Sequence, residues 1–407
     1  MGRTVGHDTI MVKFMIEKWV GNFPVPNLAQ NVYEPLTDAW HGYSREWPYT
    51  EPVHFFDYLR HENMIEDFEF VYHDQSDINT LYPISLSHFD FSINWFKLVD
   101  QENSVLRLLQ KRKVKLWFLY SEADHPLIII THLRQLAKQH HVDPDLILLT
   151  TANSAGDGID GCSCFVDDEL LFRQRNRNCW PVQYHESPRN LQFTALSRTH
   201  KPWRAATMAR LWRQGYHKHG FFSYEKQFET DGVDALQANR FYGLENTVND
   251  FLQACPFTAD HMNTHDKNNH TISVDQHFHE SYLNVVLETH LDIENSGGCF
   301  LTEKTFKPIK NAQMFIIVGA PGSIAKLREL GYRTFDHVID HNYDMIQNPT
   351  LRWHSVMLEV ERLVKRQDLY LLYQRCKDDI IHNQNLFLAS KADRLNTLLE
   401  KVKHEPN

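Results

Sequence analysis

The sequence lacks the features that mark several common classes of protein. No apolar run approaches the roughly 20 residues that span a bilayer, and the first residues do not form a basic-then-apolar secretion signal. The six cysteines are scattered without the paired spacing of zinc ligands, and only one residue separates Cys162 from Cys164. We therefore expect a protein without a transmembrane segment, located in the cytoplasm and carrying free thiols.

Positive charge is also scarce. The chain has 42 Lys and Arg against 52 Asp and Glu, a formal net charge of −10, which disfavours a dedicated nucleic-acid binder. Charged residues at 23% and hydrophobic residues at 42% exclude a disordered chain. A length of 407 residues exceeds what one hydrophobic core usually serves, so two domains are expected.

Strand and helix patterns alternate twice along the chain. The first alternation has a buried strand over 114–120, a helix over 127–140 and a strand over 146–150. The second has strands over 191–196, 282–289 and 314–318, with helices over 203–216, 303–312 and 323–330. Such alternation is typical of parallel sheets, and predicts an α/β fold with two Rossmann-like domains.

Composition places the domain boundaries. Residues 154–190 are rich in Gly, Asp, Asn, Arg and Pro, and are predicted to be a loop. We predict an N-terminal Rossmann-like domain over 1–188 and a second over 189–345. Helices over 346–407, with Leu358, Val360, Leu363 and Val364 on one apolar stripe, are expected to brace both.

The stretch 294–308 carries the strongest chemical signal. A Gly-Gly turn leads into Phe300 and then Thr302-Glu303-Lys304, at a predicted helix start. In one interpretation, Thr302 caps the helix, Glu303 sits at its positive end and Lys304 is solvated. In the other, Lys304 binds a phosphate, Glu303 accepts hydrogen bonds from ribose hydroxyls and Phe300 stacks on a base. The Gly-Gly turn and the aromatic ring favour the second.

Three cations follow another predicted strand. Arg198, Lys201 and Arg204 lie between the strand ending at 196 and the next helix. Ligands of parallel sheets bind at the carboxyl ends of strands, so these cations are candidates to neutralise a diphosphate. The alternative is an ordinary solvated basic turn. Pro202 and Trp203 would stiffen this segment, which disfavours that alternative.

Acidic residues occupy the equivalent position in the first domain. Glu122 and Asp124 come directly after the strand 114–120, and are candidate general bases, with His125 as an orienting group or a replacement base. The alternative is that Asp124 only caps the helix that begins near Pro126.

A Walker phosphate loop is excluded by spacing. The turn that begins at Gly319 has Ile324 where that loop needs its second glycine. We instead expect Ser323 to cap the next helix.

Two further clusters are weak metal candidates. His277 and His279, with His261, His265 and His270 upstream, lack regular zinc spacing, and the acidic run Asp167 to Glu169 is typical of a solvated loop. No metal is expected.

Together these segments resemble a known family. Glu294-Asn295-Ser296 followed by Phe300-Leu-Thr-Glu-Lys304, an apolar strand and a glycine turn resembles the donor-binding motif of the α1,3-fucosyltransferases, and 197–204 resembles that family's upstream Ser…Arg segment. The resemblance covers roughly 190–325 and implies the two-Rossmann glycosyltransferase fold (GT-B), with the donor bound in the C-terminal domain. It implies that Lys304 and Arg204 hold the donor diphosphate, that Glu303 binds the ribose and that Phe300 lies by the base. Asn295 occupies the position of the motif's amide side chain. Phe300 stands where the family usually has Tyr.

The sequence therefore predicts an inverting, metal-independent glycosyltransferase without a cofactor. Its partners would be a nucleotide-sugar donor and an acceptor hydroxyl, for example on a glycan. Two alternatives stay open: a phage-type DNA glycosyltransferase acting on a modified base, which the net charge disfavours, and a non-catalytic nucleotide- or carbohydrate-binding protein. A metal-dependent hydrolase built on the histidines is a weaker third.

Overall fold

The structure is a computed structural model of the full chain. It describes residues 12–15, 58–59, 61–64, 67–71, 76–86, 89, 91–92, 94–96, 105–120, 122, 124–166, 168–175, 179–197, 201–224, 238, 242–244, 246–258, 275–293 and 296–404.

The chain divides into two compact units. The first unit comprises 1–167 and 390–407, and the second comprises 168–389. The segment 168–188 therefore belongs with the second unit, and the last residues of the chain return to the first. Within the first unit the returning segment is tied down by the side chain of Arg394, whose Nη2 donates to the carbonyl of Val166 at 3.2 Å.

The first unit is built on a parallel sheet. Its strand order is β2-β1-β3-β4-β5-β6, and every neighbouring pair is parallel. Strands β4 and β5 are buried along almost their whole length, as expected of a parallel sheet whose two faces are covered. The strands are β1 Lys13–Met15, β2 Glu69–Val71, β3 Thr80–Leu86, β4 Lys115–Tyr120, β5 Ile147–Thr151 and β6 Cys162–Cys164.

The second unit has a smaller parallel sheet, with strand order β10-β9-β7-β8. All five residues of β10 are buried, which explains its unbroken apolar sequence. The strands are β7 Leu191–Ser197, β8 Gly220–Tyr224, β9 Ser281–Leu287 and β10 Met314–Val318. Because β7 and β9 are hydrogen-bonded neighbours, their carboxyl ends lie side by side.

Helices connect and cover the strands. Among the helices whose bounds the structure describes, those of the first unit are α1 Val105–Gln110, α2 Pro126–Gln139 and, at the end of the chain, α12 Ala392–His404. In the second unit they are α3 Asp168–Arg175, α4 Pro202–Arg213, α5 Thr247–Ala254, α6 Asp275–His279, α7 Glu303–Lys310, α8 Ser323–Glu329, α9 Pro349–Val364, α10 Leu369–Arg375 and α11 Lys377–Leu388. The predicted α/β class, with two Rossmann-like units and C-terminal helices, is confirmed by this topology.

Two details of the sequence interpretation are wrong. The predicted loop over 154–190 contains strand β6 and helix α3, because the short apolar stretches there are buried against their units. Leu358 does not share the apolar stripe of α9: it is 63% exposed, whereas Val360, Leu363 and Val364 are buried. Leu358 is two residues from Val360, which places the two side chains on different faces of the helix.

The six cysteines are free, as expected. Among the described residues, no helix has the length and apolar character needed to cross a bilayer.

Candidate functional site

The carboxyl ends of β7 and β9 bring the predicted donor-site residues together. Arg204 lies in the first turn of α4, whose start is fixed by Pro202. Only 4% of Arg204 is exposed, and its Nε and Nη2 both donate to the carbonyl oxygen of Glu288, at 3.2 and 2.6 Å. Burial lowers the pKa of Arg204, while the charges of Glu288 and Glu303 oppose that shift. The guanidinium is therefore an anchored cation at the sheet edge.

Glu288 is the centre of this cluster. Its fully buried carboxylate accepts hydrogen bonds from the amide and hydroxyl of Thr302, at 3.0 and 2.8 Å, and from the hydroxyl of Thr305 at 2.5 Å. The amide of Thr289 donates to the same carboxylate at 3.1 Å. A buried carboxylate needs such donors to compensate for its lost hydration. These bonds fix the start of α7 against the end of β9.

The Thr302-Glu303-Lys304 element has the local geometry of the first of its two interpretations, in which Thr302 caps the helix. Thr302 caps α7, since its hydroxyl accepts from the amide of Lys304 at 3.4 Å. The Lys304 ammonium donates to the Thr302 hydroxyl and to the Glu303 carboxylate, each at 3.1 Å. Side-chain exposure is 33% for Lys304 and 12% for Glu303. A partly exposed cation and a carboxylate therefore stand side by side at the helix start.

Of the other four predicted donor-site residues, the structure describes Lys201 and Phe300. The Lys201 ammonium donates to the carbonyl of Thr289 at 2.6 Å, which brings it to the same loop as Arg204. Phe300 is 5% exposed, so its ring is part of the unit's interior, and its contact with a base stays a prediction. Arg198 and Asn295 lie outside the described residues.

Sequence interpretation missed two residues of this cluster. Glu288 was taken as part of a strand ending at 289, but β9 ends at Leu287 and Glu288 turns into the cluster. Lys307 lies one helical turn after Glu303, and burial lowers its pKa against the opposing charge of Glu303. The i, i+4 spacing of Glu303 and Lys307 was the available signal for Lys307; Glu288 had no local signal.

The predicted acidic group follows β4 in the first unit. The hydroxyl of Tyr120, the last residue of β4, donates to the carboxylate of the exposed Asp124. Burial raises the pKa of the Tyr120 phenol, and the nearby charges of Asp124 and Glu122 raise it further. The phenol therefore stays protonated, and fixes Asp124 as a hydrogen-bond acceptor.

Asp124 is not the cap of the helix that follows. The cap of α2 is His125, whose Nδ1 accepts from the amide of Leu127 at 3.3 Å. The alternative interpretation, in which Asp124 only caps the helix, is therefore wrong. The Asp124 carboxylate instead accepts from the Tyr120 hydroxyl and is exposed to solvent.

The turn after β10 also differs from expectation. Ser323 does not cap α8: its hydroxyl donates to the carbonyl of Ala320 at 2.7 Å. The residue before the helix is Gly322, with φ of 81°. The carboxylate of Asp344 accepts from the amides of Ile324 and Ala325, both at 3.1 Å. A distant residue in sequence therefore replaces the expected local cap.

The metal candidates are dispersed. His277 is buried and His279 is exposed on the short helix α6, while His261, His265, His270 and Asp167 lie outside the described residues. Asp168 and Glu169 start α3, and the buried Glu169 accepts from the hydroxyl of Tyr332. Within the part of the chain that the structure describes, no three His, Cys, Asp or Glu side chains are placed to hold a metal ion together.

Comparison with known proteins adds little. No family and no curated protein matches the sequence. A solved structure of a T4 phage BGT mutant in complex with UDP-glucose is similar, with 10% sequence identity, coverage of 86% of this chain and 92% of that chain, and a TM-score of 0.35. A likeness of this degree is too slight to assign a fold or an activity.

Proposed function

We propose that the protein is a glycosyltransferase of the GT-B type, which takes a sugar from a nucleotide-sugar donor and moves it to an acceptor hydroxyl. The observation that carries the proposal is the convergence of Arg204 with Thr302-Glu303-Lys304 around Glu288. These residues come from two separate segments of the chain, and they meet at the carboxyl ends of neighbouring parallel strands, where such sheets bind ligands.

The donor diphosphate is assigned mainly to side chains. The amide of Thr302 is used by Glu288 and that of Lys304 by the Thr302 hydroxyl, so these two amides of the helix start are engaged within the protein. Lys304, with 33% of its side chain exposed, is assigned to the phosphate oxygens, and Lys201 and the buried Arg204 are the other cations of the cluster. Cations at these positions stabilise the charge that develops on the leaving diphosphate.

The Glu303 carboxylate is assigned to the ribose. Carboxylates accept hydrogen bonds from the paired hydroxyls of a ribose, and Glu303 keeps 12% of its side chain exposed beside Lys304. The resemblance to the α1,3-fucosyltransferases gives the same assignment and adds Phe300 and Asn295 near the base. Phe300 is buried and stands where that family usually has Tyr. The donor panel described below therefore determines which nucleobase and which sugar the site accepts.

The proposed reaction is a single in-line displacement with inversion. A carboxylate of the first unit, Asp124 or Glu122, takes the proton of the acceptor hydroxyl. The acceptor oxygen forms a bond to the anomeric carbon while the bond from that carbon to the diphosphate oxygen breaks, and the electron pair leaves with the nucleoside diphosphate. The cations of the donor cluster supply the charge stabilisation for which other enzymes use a metal ion.

The test is release of nucleoside diphosphate from a panel of GDP-fucose, GDP-mannose, UDP-glucose, UDP-N-acetylglucosamine and dTDP-rhamnose, followed by ³¹P NMR. We expect slow hydrolysis of one donor by the native chain, and loss of that hydrolysis in Lys304→Ala. Turnover with none of the donors, in the presence of mixed glycans or of DNA as acceptors, contradicts the enzyme proposal. Binding without turnover would instead indicate a non-catalytic nucleotide-sugar-binding protein.

A further inference from the structure

A second concave site lies at the opposite end of the second unit's sheet. The cleft has a volume of about 650 Å³, and its lining includes Trp180, Gln183, His185, Ser187, Gln276 and Glu280. We call it the Trp180 cleft. Its walls are the segment that precedes β7 and the short helix α6 that precedes β9. It therefore opens at the amino ends of both strands, whereas Arg204 and Lys304 lie at their carboxyl ends. A strand of seven residues separates two such sites by roughly 20 Å.

The wall that carries Trp180 is held in place. The amide of Val182 donates to Asn311 Oδ1 at 3.1 Å, and its carbonyl accepts from Gln384 Nε2 at 2.8 Å. The ring of Tyr184 stacks on that of Tyr373, with centroids 5.1 Å apart and an angle of 12° between the planes. An irregular segment fixed at Val182 and again at Tyr184 is preorganised, so binding a ligand costs little conformational entropy there.

The two walls are joined by a pair of histidines. The ring of His185 stacks on His279 with centroids 4.4 Å apart, and His185 Nε2 lies 3.3 Å from the carbonyl of His279. Burial lowers the pKa of His185, as do the nearby charges of Arg189 and His279. The stacked rings and the contact with the His279 carbonyl join the segment before β7 to helix α6.

The exposed indole sets the chemistry of the ligand. Trp180 is 89% exposed, so a large apolar face is left in water at the edge of the concave surface. The flat C–H face of a pyranose ring can cover such an indole. The lining also carries the amide of Gln183 and the paired side chains of Gln276 and Glu280, whose Nε2 and Oε1 are joined by a hydrogen bond of 3.0 Å, and the remaining donor and acceptor positions of these groups suit sugar hydroxyls.

The charge of the lining separates the possible ligands. No Lys or Arg is among the described residues that line the cleft, and Glu280 adds a negative charge. Lys377 lies over the Tyr184 ring, but it is paired with Glu186 at 2.7 Å. Single-stranded nucleic acids also stack on aromatic rings, but their binding grooves are basic. The lining thus favours an uncharged ligand over a phosphodiester chain.

We propose that the Trp180 cleft binds a neutral oligosaccharide, as a site separate from the donor cluster. The site is independent of the transferase activity, because its residues and its position on the sheet differ from those of the donor cluster. In a glycosyltransferase it would retain a glycan chain near the enzyme between reactions.

The test uses ¹⁹F NMR of the full chain labelled with 5-fluorotryptophan. The chain has nine tryptophans, and Trp180→Phe assigns the resonance of Trp180. The probes are maltopentaose, cellopentaose, chitopentaose and a single-stranded oligothymidylate. We expect at least one pentasaccharide to move the Trp180 resonance. Calorimetry should show binding weakened about three- to tenfold in Trp180→Ala, the range expected for losing one stacked ring.

Matched variants separate this site from the donor cluster. Gln276→Ala should weaken binding of the same pentasaccharide. Leu358 is an exposed apolar residue on α9, and Leu358→Ala should leave this binding unchanged. Lys304→Ala should leave the resonance shift intact even if it abolishes donor binding. The proposal is overturned if no pentasaccharide moves the resonance, if Trp180→Ala binds as tightly as the native chain, or if the oligothymidylate binds in place of the sugars.

Discussion

The guanidinium of Arg204 is bonded to the backbone carbonyl of Glu288, at 2.6 Å from Nη2 and 3.2 Å from Nε. The carboxylate of the same glutamate holds the amide and hydroxyl of Thr302. One residue thus joins a cation from the β7 end to the helix start that follows β9. The relative placement of Arg204 and Lys304 depends on Glu288, although Glu288 itself is fully buried.

Replacing Glu288 by Gln should destabilise the protein. The amide keeps the size of the side chain, but turns an NH₂ group towards donors from Thr302 or Thr305, so at least one buried donor loses its acceptor. We expect a decrease of about 1–3 kcal/mol in the free energy of unfolding, measured by urea denaturation. The control is Glu329→Gln, whose exposed carboxylate pairs with Lys326 and should contribute at most about 1 kcal/mol. Equal stabilities of the two variants would show that Glu288 is not the centre of the cluster.

Asp124→Asn should slow transfer without weakening donor binding. Asp124 is exposed to solvent and is held by the Tyr120 hydroxyl, which suits a base that meets an acceptor. Loss of a general base lowers kcat by about 10²–10⁴-fold, while KM for the donor should change little. Steady-state kinetics of Asp124→Asn and Glu122→Gln, side by side, decide between the two carboxylates. Full activity of Asp124→Asn would assign the role to Glu122 or remove it from this group.

His125 should be a structural residue in the same experiment. Its Nδ1 caps α2, and asparagine is a good substitute for a capping acceptor. We therefore expect His125→Asn to retain most of the transfer activity, and His125→Ala to lower the melting temperature of the chain. Loss of transfer in His125→Asn, with an unchanged melting temperature, would instead support a role in catalysis.

Removal of metal ions should leave turnover unchanged. In the proposed mechanism Lys201, Arg204 and Lys304 balance the charge of the leaving diphosphate, so a divalent cation is not required. Donor hydrolysis after dialysis against EDTA should match that of the untreated protein. A loss of activity that Mg²⁺ or Mn²⁺ restores would contradict a metal-independent reaction.

Local patterns in the sequence predicted the elements that local forces determine. The apolar strand β10 matches its predicted bounds, and Thr302 caps α7, as one of the two interpretations of its position expected. Contacts distant in sequence were not predictable in this way. The start of α8 is capped by Asp344, 20 residues beyond Ile324, and no nearby pattern marks it.

The same limit applies to the candidate site. Arg204 and Lys304 were each predicted from their own segment, but their common partner Glu288 was not, because a lone glutamate at a strand end carries no signal until the chain is folded. The helical spacing of apolar residues also gave a wrong prediction for Leu358, which lies on the exposed face of α9. Hydrophobicity alone does not fix the buried side of a helix.

Thermal unfolding with nucleotides tests the central claim most directly, using GDP, UDP, CMP and dTDP with the native chain, Lys304→Ala and Lys365→Ala. Lys365 is an exposed lysine at the end of α9 and is the matched control. A nucleotide that binds only the folded chain stabilises it by about 2.7 kcal/mol at a hundredfold excess over its Kd. We predict that one nucleoside diphosphate raises the melting temperature of the native chain and of Lys365→Ala, with a much smaller rise in Lys304→Ala. No rise with any of the four nucleotides, or an equal rise in Lys304→Ala, would contradict a donor site at the ends of β7 and β9.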